Sequence, residues 1–119
     1  MIEKESPILK KSYAFALRIV KLYKQLCEDR HEYVLSKEAL TNGTAIGAHV
    51  KAAQEANSRD GFIHEMGLAL QRTSKTEYWL ELLRDGGFLE EKAFASIHAD
   101  WEEFKKMLVS ILKSSKGVH

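Results

Sequence analysis

NGTAIGAHVKAAQEAN, residues 42–57, decides how this chain folds. It opens on Asn-Gly, the strongest short hairpin signal. It then carries Gly43 and Gly47 and a row of alanines, Ala48, Ala52 and Ala56. A hairpin needs alternating apolar residues on both flanks, and neither flank has them. A phosphate-cradling loop needs GxGxxG or GxxxxGK[ST] after a strand, and neither pattern is present. Ala39, Gly43, Ile46, Val50, Ala53 and Asn57 instead recur at intervals of 4, 3, 4, 3 and 4. That rhythm runs through Asn42-Gly43 without a phase break, so the stretch is helix. A mid-helix glycine costs about 1 kcal/mol against alanine. Close approach of another backbone at Gly43 and Gly47 would compensate.

The flanking segments repeat the pattern. Ser36 is the expected N-cap of this helix, which then spans about 36–57. Asn57-Ser58 separates it from a third helix, with Ser58 as N-cap and Asp60 near the positive end of the dipole. Phe62, Met66, Leu70, Thr73, Leu80 and Leu83 point inward until Gly86-Gly87 stops the helix near 85. Ahead of them, Ser6-Pro7 pairs an N-cap with proline at the first helical position, opening a first helix over about 6–31. In the last helix, about 90–114, Phe94, Ile97, Trp101, Phe104, Leu108 and Ile111 keep the 3–4 spacing. Glu90 and Glu91 open it, and Lys113 and Lys116 close it, as the macrodipole favours. Four amphipathic helices with short links make an all-α, antiparallel up-down-up-down four-helix bundle.

Composition agrees with one such domain over residues 1–119. The chain has one proline, 45% hydrophobic and 29% charged residues, an ordinary globular mix with little to interrupt helices. Net charge is +1, so a nucleic-acid partner would need a local basic face. Cys27 is alone, which excludes an internal disulfide and a cysteine-rich zinc site. The opening MIEKESPILKKS has no apolar core of a signal peptide. The longest uncharged run, 39–50, is too short and polar to span a bilayer. The expected location is cytoplasmic, and the Asn42-Gly43-Thr44 sequon is then without consequence.

No catalytic constellation emerges. A di-iron bundle needs Glu-x-x-His on two helices, and only Glu28-x-x-His31 occurs. The zinc-protease pattern fails at Leu68, where a second histidine would follow His64-Glu65. Cys27 falls on an apolar helix face and reads as packing. His49 and His64 have no evident acid–Ser or acid–Cys arrangement around them. No metal, no cofactor and no enzymatic activity are expected.

The first helix carries two features. Ile8, Leu9, Phe15, Ile19, Val20, Leu22, Tyr23, Leu26 and Cys27 fill an arc of roughly 180°, wider than a simple surface helix needs. Such an arc suits a helix sunk in its own bundle or one that also touches a second subunit. Opposite it lie Lys10, Lys11, Arg18, Lys21 and Lys24, within an arc of about 140°. No acid occurs from Pro7 to Lys24. The stripe is a solvated face or a phosphate-binding one.

KSYAFALRIVKLYKQL, LSKEALTNGTAIGAHVKAA, SRDGFIHEMGLAL and TEYWLELLRDGGFL, in that order, resemble successive blocks of the bacterial four-helix-bundle family that includes the 23S ribosomal RNA intervening-sequence proteins. The resemblance covers about residues 3–115. It implies an antiparallel bundle that assembles into a homo-oligomeric ring, commonly a pentamer. The accessory variability protein of diversity-generating retroelements is similar, and it binds reverse transcriptase and nucleic acid through a basic surface. Thr76, Tyr78, Trp79 and Leu80 match the family pattern. His49, Val50, Lys51 and Ala52 depart from the family's Asn-Ile-x-Glu, and Ser74 and Lys75 replace an Arg-Glu pair.

These readings combine into one expectation. The chain is a non-catalytic helical bundle that self-associates through packing residues such as Gly43, Gly47, Tyr78, Trp79 and Trp101. It binds RNA, DNA or an RNA–protein complex through Lys10, Lys11, Arg18, Lys21 and Lys24. The alternative is an oligomeric scaffold for a partner protein, with no nucleic acid. No membrane partner is expected.

Overall fold

The computed structural model describes residues 6–117. Residues 1–5, where the absence of a leader was read, and residues 118–119 lie outside it. The first helix, α1, spans Pro7–Arg30. Ser6 caps it as expected, its hydroxyl accepting from the Leu9 N–H at 3.4 Å, with Pro7 in the first turn. Helix α2 spans Leu35–Gln54, α3 spans Arg59–Asp85 and α4 spans Glu91–Ser115. Asn42-Gly43 lies inside α2 with no turn. Each helix packs on its two neighbours in a closed cycle, α1 on α2, α2 on α3, α3 on α4 and α4 on α1. The dimensions, 44 × 24 × 21 Å, match one helix length by two helices on a side. This is the up-down-up-down bundle.

The start of α2 differs from expectation. Ser36 is not the N-cap. It sits inside the helix, buried, and its hydroxyl donates to the Glu32 carbonyl at 2.7 Å. The N-cap position is Val34, whose side chain can accept nothing. Glu32, two residues earlier, does the capping. Its carboxylate accepts from the N–H groups of Val34, Leu35 and Ser36 at 3.1, 2.9 and 2.7 Å. Three of the four orphan donors of a helix start are thereby satisfied by one side chain. The far end of α2 also stops sooner, at Gln54, because Glu55 and Ala56 turn their N–H groups back to the Ala52 and Ala53 carbonyls. Ser58 then caps α3, accepting from Gly61 N–H at 3.0 Å, and Gly86 ends α3.

The core runs along the bundle axis. Phe15 and Ile19 of α1, Ile46 and Val50 of α2, Met66, Leu80 and Leu83 of α3, and Phe104 and Leu108 of α4 are all almost completely enclosed. Phe15 meets Phe104 edge-on, centroids 4.8 Å apart. In α4 the last turn buries Leu112, with Ile111 only partly covered. On α1, Val20 falls outside the buried face, 36% exposed, although the helical wheel placed it on the apolar arc. Cys27 is half-buried.

The glycines of α2 face α1 within one protomer. A Cβ on Gly43 would lie 2.9 Å from Ile19 Cγ1 and 3.4 Å from Ile19 Cβ. That contact requires glycine, and it is a side chain rather than a backbone that presses there. A Cβ on Gly47 would lie 3.5 Å from Ser12 Oγ and 3.6 Å from the Ser12 carbonyl oxygen, an ordinary contact. Trp101 is likewise a packing residue inside the protomer. It is 3% exposed, and its indole N–H donates to the Thr73 carbonyl at 2.8 Å, tying α4 to α3.

Candidate nucleic-acid interface

The five basic side chains of α1 do not form one equivalent row. At 100° per residue, Lys21 and Lys24 lie within about 40° of Lys10, whereas Arg18 and Lys11 lie about 80° and 100° away. That offset carries the latter two to the edge of α1 that abuts α4. Arg18 is clamped there. Its guanidinium donates to Asp100 Oδ2 at 2.7 Å, to the Ser96 carbonyl at 3.2 Å and to Ser96 Oγ at 3.0 Å. Lys11 pairs with Glu103 at 3.1 Å. Arg18 is therefore committed to the α1–α4 seam, and a phosphate would compete with α4 acids for it. Lys10, Lys21 and Lys24 face solvent, and Lys21 and Lys24 have no ion pair among the described residues.

Beside the three outward lysines runs an apolar strip. Tyr13, Leu17 and Val20, at i, i+4 and i+7, are 65%, 48% and 36% exposed. Over about four turns α1 therefore presents lysines and apolar side chains together on its exposed face. Tyr33 and Val34, in the link to α2, are also exposed. Single exposed apolar residues are ordinary on protein surfaces, but a row at helical spacing is a seam.

Histidine pairs bridge the other seams. His49 Nδ1 on α2 lies 2.9 Å from Glu65 Oε1 on α3. His98 Nε2 on α4 lies 2.7 Å from Glu77 Oε2 on α3. The His98 ring stacks between Phe94 and Trp101, at 5.1 and 4.7 Å, and Arg84 and Lys105 lie over the outer aromatic rings of that column. Each pair links two helices, and sequence reasoning missed both acids because they lie sixteen or more residues from their histidines. Among the described residues no three His, Cys, Asp or Glu side chains converge as a metal site would require. No helix among them is long and apolar enough to cross a membrane.

Tyr78 and Trp79 are adjacent on α3 and differ. Tyr78 is 55% exposed, while Trp79 is half-buried against the core, and their rings meet at 79° with centroids 5.1 Å apart. They border a cavity of about 540 Å³ in the outer groove between α2 and α3.

These elements define an all-α, antiparallel four-helix bundle with lysines and apolar side chains together on the outer face of α1. The chain belongs to the family of 23S rRNA-intervening sequence proteins, whose family model matches residues 4–110. It is similar to the crystal structure of a protein of unknown function from the S23 ribosomal protein family of Bacteroides thetaiotaomicron VPI-5482, with 43% identity and a TM-score of 0.87. That match covers 89% of this chain and 98% of the other. No curated protein matches this chain.

Proposed function

We propose that this protein is a non-catalytic, homo-oligomeric bundle that binds nucleic acid, or an RNA–protein complex, through the basic face of α1. The observation that carries the reading is the stretch Pro7–Lys24 of α1, which has no acid and where Lys21 and Lys24 are exposed without a counter-ion among the described residues. Lys10 extends the same row. Phosphate contacts of this kind give affinity and orientation without sequence choice. Lys11 and Arg18 serve the α1–α4 seam first and contribute secondarily. Repetition of the lysine row around a ring of copies, a pentamer by the family resemblance, would turn a modest patch into a continuous one. The Tyr13–Leu17–Val20 strip supports self-association next to that row.

A second reading rests on the same strip: an oligomeric scaffold whose exposed apolar seam holds a partner protein and no nucleic acid. Fluorescence anisotropy of a labelled structured RNA, with mass measured by light scattering on the same sample, separates the two. For Z phosphate contacts, log affinity falls with log salt at a slope of roughly −0.7Z to −0.9Z. The nucleic-acid reading expects a slope larger than one protomer can supply, and its loss in a Lys10→Glu, Lys21→Glu, Lys24→Glu variant of unchanged mass. An intact oligomer that binds nothing at low salt would sink it in favour of the scaffold.

A further inference from the structure

The groove between α2 and α3 combines two things that the α1 face lacks: an aromatic corner, and a buried polar side chain that orients a cation left without a carboxylate partner. Arg72 is the centre. Every other arginine of the described chain is matched to an acid or to the carbonyl oxygens of a helix end or turn. Arg18 has Asp100, Arg84 has Asp85 and Glu91, Arg30 has the Phe88 and Gly87 carbonyls, and Arg59 has the Ser115 carbonyl. Arg72 differs in being held by a neutral side chain and nothing else among the described residues. One of its N–H groups donates to Asn42 Oδ1 at 3.1 Å. Asn42 is 4% exposed and is itself fixed, its amide donating to the Glu38 carbonyl at 2.9 Å. The guanidinium is thus oriented while most of its donors and its whole charge remain uncompensated.

The neighbours along α3 complete the chemistry. Arg72, Lys75 and Trp79 fall at i, i+3 and i+7, on one face, and Tyr78 stands next to Lys75 on the adjoining rim. Lys75 is exposed and has no ion pair among the described residues. The Tyr78 and Trp79 rings, 79° apart, form a corner with a face to stack on and a wall beside it. From Arg72 to Trp79 the groove runs about 10 Å at 1.5 Å per residue, the path of about three stacked nucleotides. Glu38 is the one acid lining it, set against two cations.

We infer that the α2–α3 groove is a single-strand nucleic-acid site, in which a nucleobase stacks on Tyr78 against Trp79 while Arg72 and Lys75 hold the flanking phosphates. Aromatic platforms beside cationic grooves bind single strands in this way, largely without sequence preference. The inference rests on the nucleic-acid reading above and adds to it the class of ligand, unpaired rather than duplex, and a second surface across the bundle from the α1–α4 seam.

The test is binding of a labelled oligouridylate of about eight nucleotides, and of an abasic phosphodiester of the same length, followed by anisotropy. Tyr78→Ala should weaken oligouridylate binding by roughly 5- to 100-fold, Tyr78→Phe should restore most of it, and neither should change abasic binding. Intrinsic fluorescence gives an independent readout. Oligouridylate should quench the Trp79 emission, and the quenching should vanish in Trp79→Phe, since Trp101 is enclosed in the core. Glu38→Gln should tighten binding to both chains. The same Tyr78 factor should persist when the α1 lysines are reversed. Tyr78→Ala that binds as wild type, while the α1 reversal abolishes binding, overturns the groove and leaves the α1 reading standing. A fall in oligomer mass in Tyr78→Ala makes the groove an interface between copies and overturns it too. Wild-type protein that binds no nucleic acid removes both readings together.

Discussion

Glu32→Ala should be the most costly single truncation of a charged side chain in this protein. The carboxylate is 8% exposed and accepts three backbone N–H groups at 2.7–3.1 Å, and the Ser36 N–H among them is itself buried. Removing an ordinary N-cap costs about 0.5–2 kcal/mol. Hydrogen bonds to a charged acceptor are worth about 1.5–3 kcal/mol, and an orphaned buried donor carries its own desolvation cost. Without Glu32, solvent can reach Val34 and Leu35 N–H, so the three bonds do not add in full. A loss of about 2–3 kcal/mol results, or a fall in Tm of ~8–12 °C for a chain of this size. Glu32→Gln keeps one acceptor oxygen and should lose about half as much.

The pH dependence supplies a second axis. Burial raises the Glu32 carboxyl, but the backbone N–H donors of Leu35, Ser36 and Val34 outweigh it and hold the group below its ordinary value of 4.5. A group whose folded value is depressed adds stability that is fully present above the unfolded value and disappears as pH falls through the folded one. Urea unfolding at pH 7 should therefore show the full difference between wild type and Glu32→Ala. The difference should shrink below about pH 4.5, because the wild type loses its carboxylate while the variant has none to lose. A Glu32→Ala protein within about 0.5 kcal/mol of wild type at pH 7 would refute the capping account.

Gly43→Ala and Gly47→Ala should move stability in opposite directions. The first drives a Cβ into the β-branched Ile19 side chain at 2.9 Å, and the overpacking exceeds the gain in helix propensity by about 1 kcal/mol. The second finds Ser12 at ordinary contact distance and should gain up to about 1 kcal/mol; denaturant midpoints of the two variants check both signs. Trp101→Phe removes the bond to the Thr73 carbonyl and part of the core, costing about 2–3 kcal/mol by thermal unfolding. A double-mutant cycle on Arg18 and Asp100 should give a coupling below about 1 kcal/mol that fades with salt, since both side chains are substantially solvated. A much larger coupling would mean that the α1–α4 seam depends on this clamp more than on Phe15 and Phe104.

The four helices were legible because each carries its own 3–4 apolar rhythm and three of the four boundaries carry chemistry that acts within a turn. Ser6-Pro7, Ser58 and Gly86-Gly87 act locally, so they act in the sequence as they act in the fold. The start of α2 was misread for the complementary reason. Ser36 has the composition of a cap, but Glu32 reaches the same donors from four residues upstream, and only the path of the link shows that it can. Val20 illustrates the same limit on the wheel: periodicity gives an angle, while burial depends on where a neighbouring helix stands.

By itself the sequence determined the class: all-α, four helices, their order, and the residues of the core within a position or two, since amphipathic period is a property of one segment. It also determined that the stretch Pro7–Lys24 carries five basic residues and no acid. The tertiary structure alone decided which of those charges remain outward. Arg18 and Lys11 meet Asp100 and Glu103 of α4, more than eighty residues away, whereas Lys21 and Lys24 stay on the open side. It alone assembled Asn42, Arg72, Lys75, Tyr78 and Trp79 into one groove. The physical reason is common to both. A side chain's availability is set by the helix packed against it, and the pairing of helices is written in the bundle's geometry rather than in the spacing of any one of them.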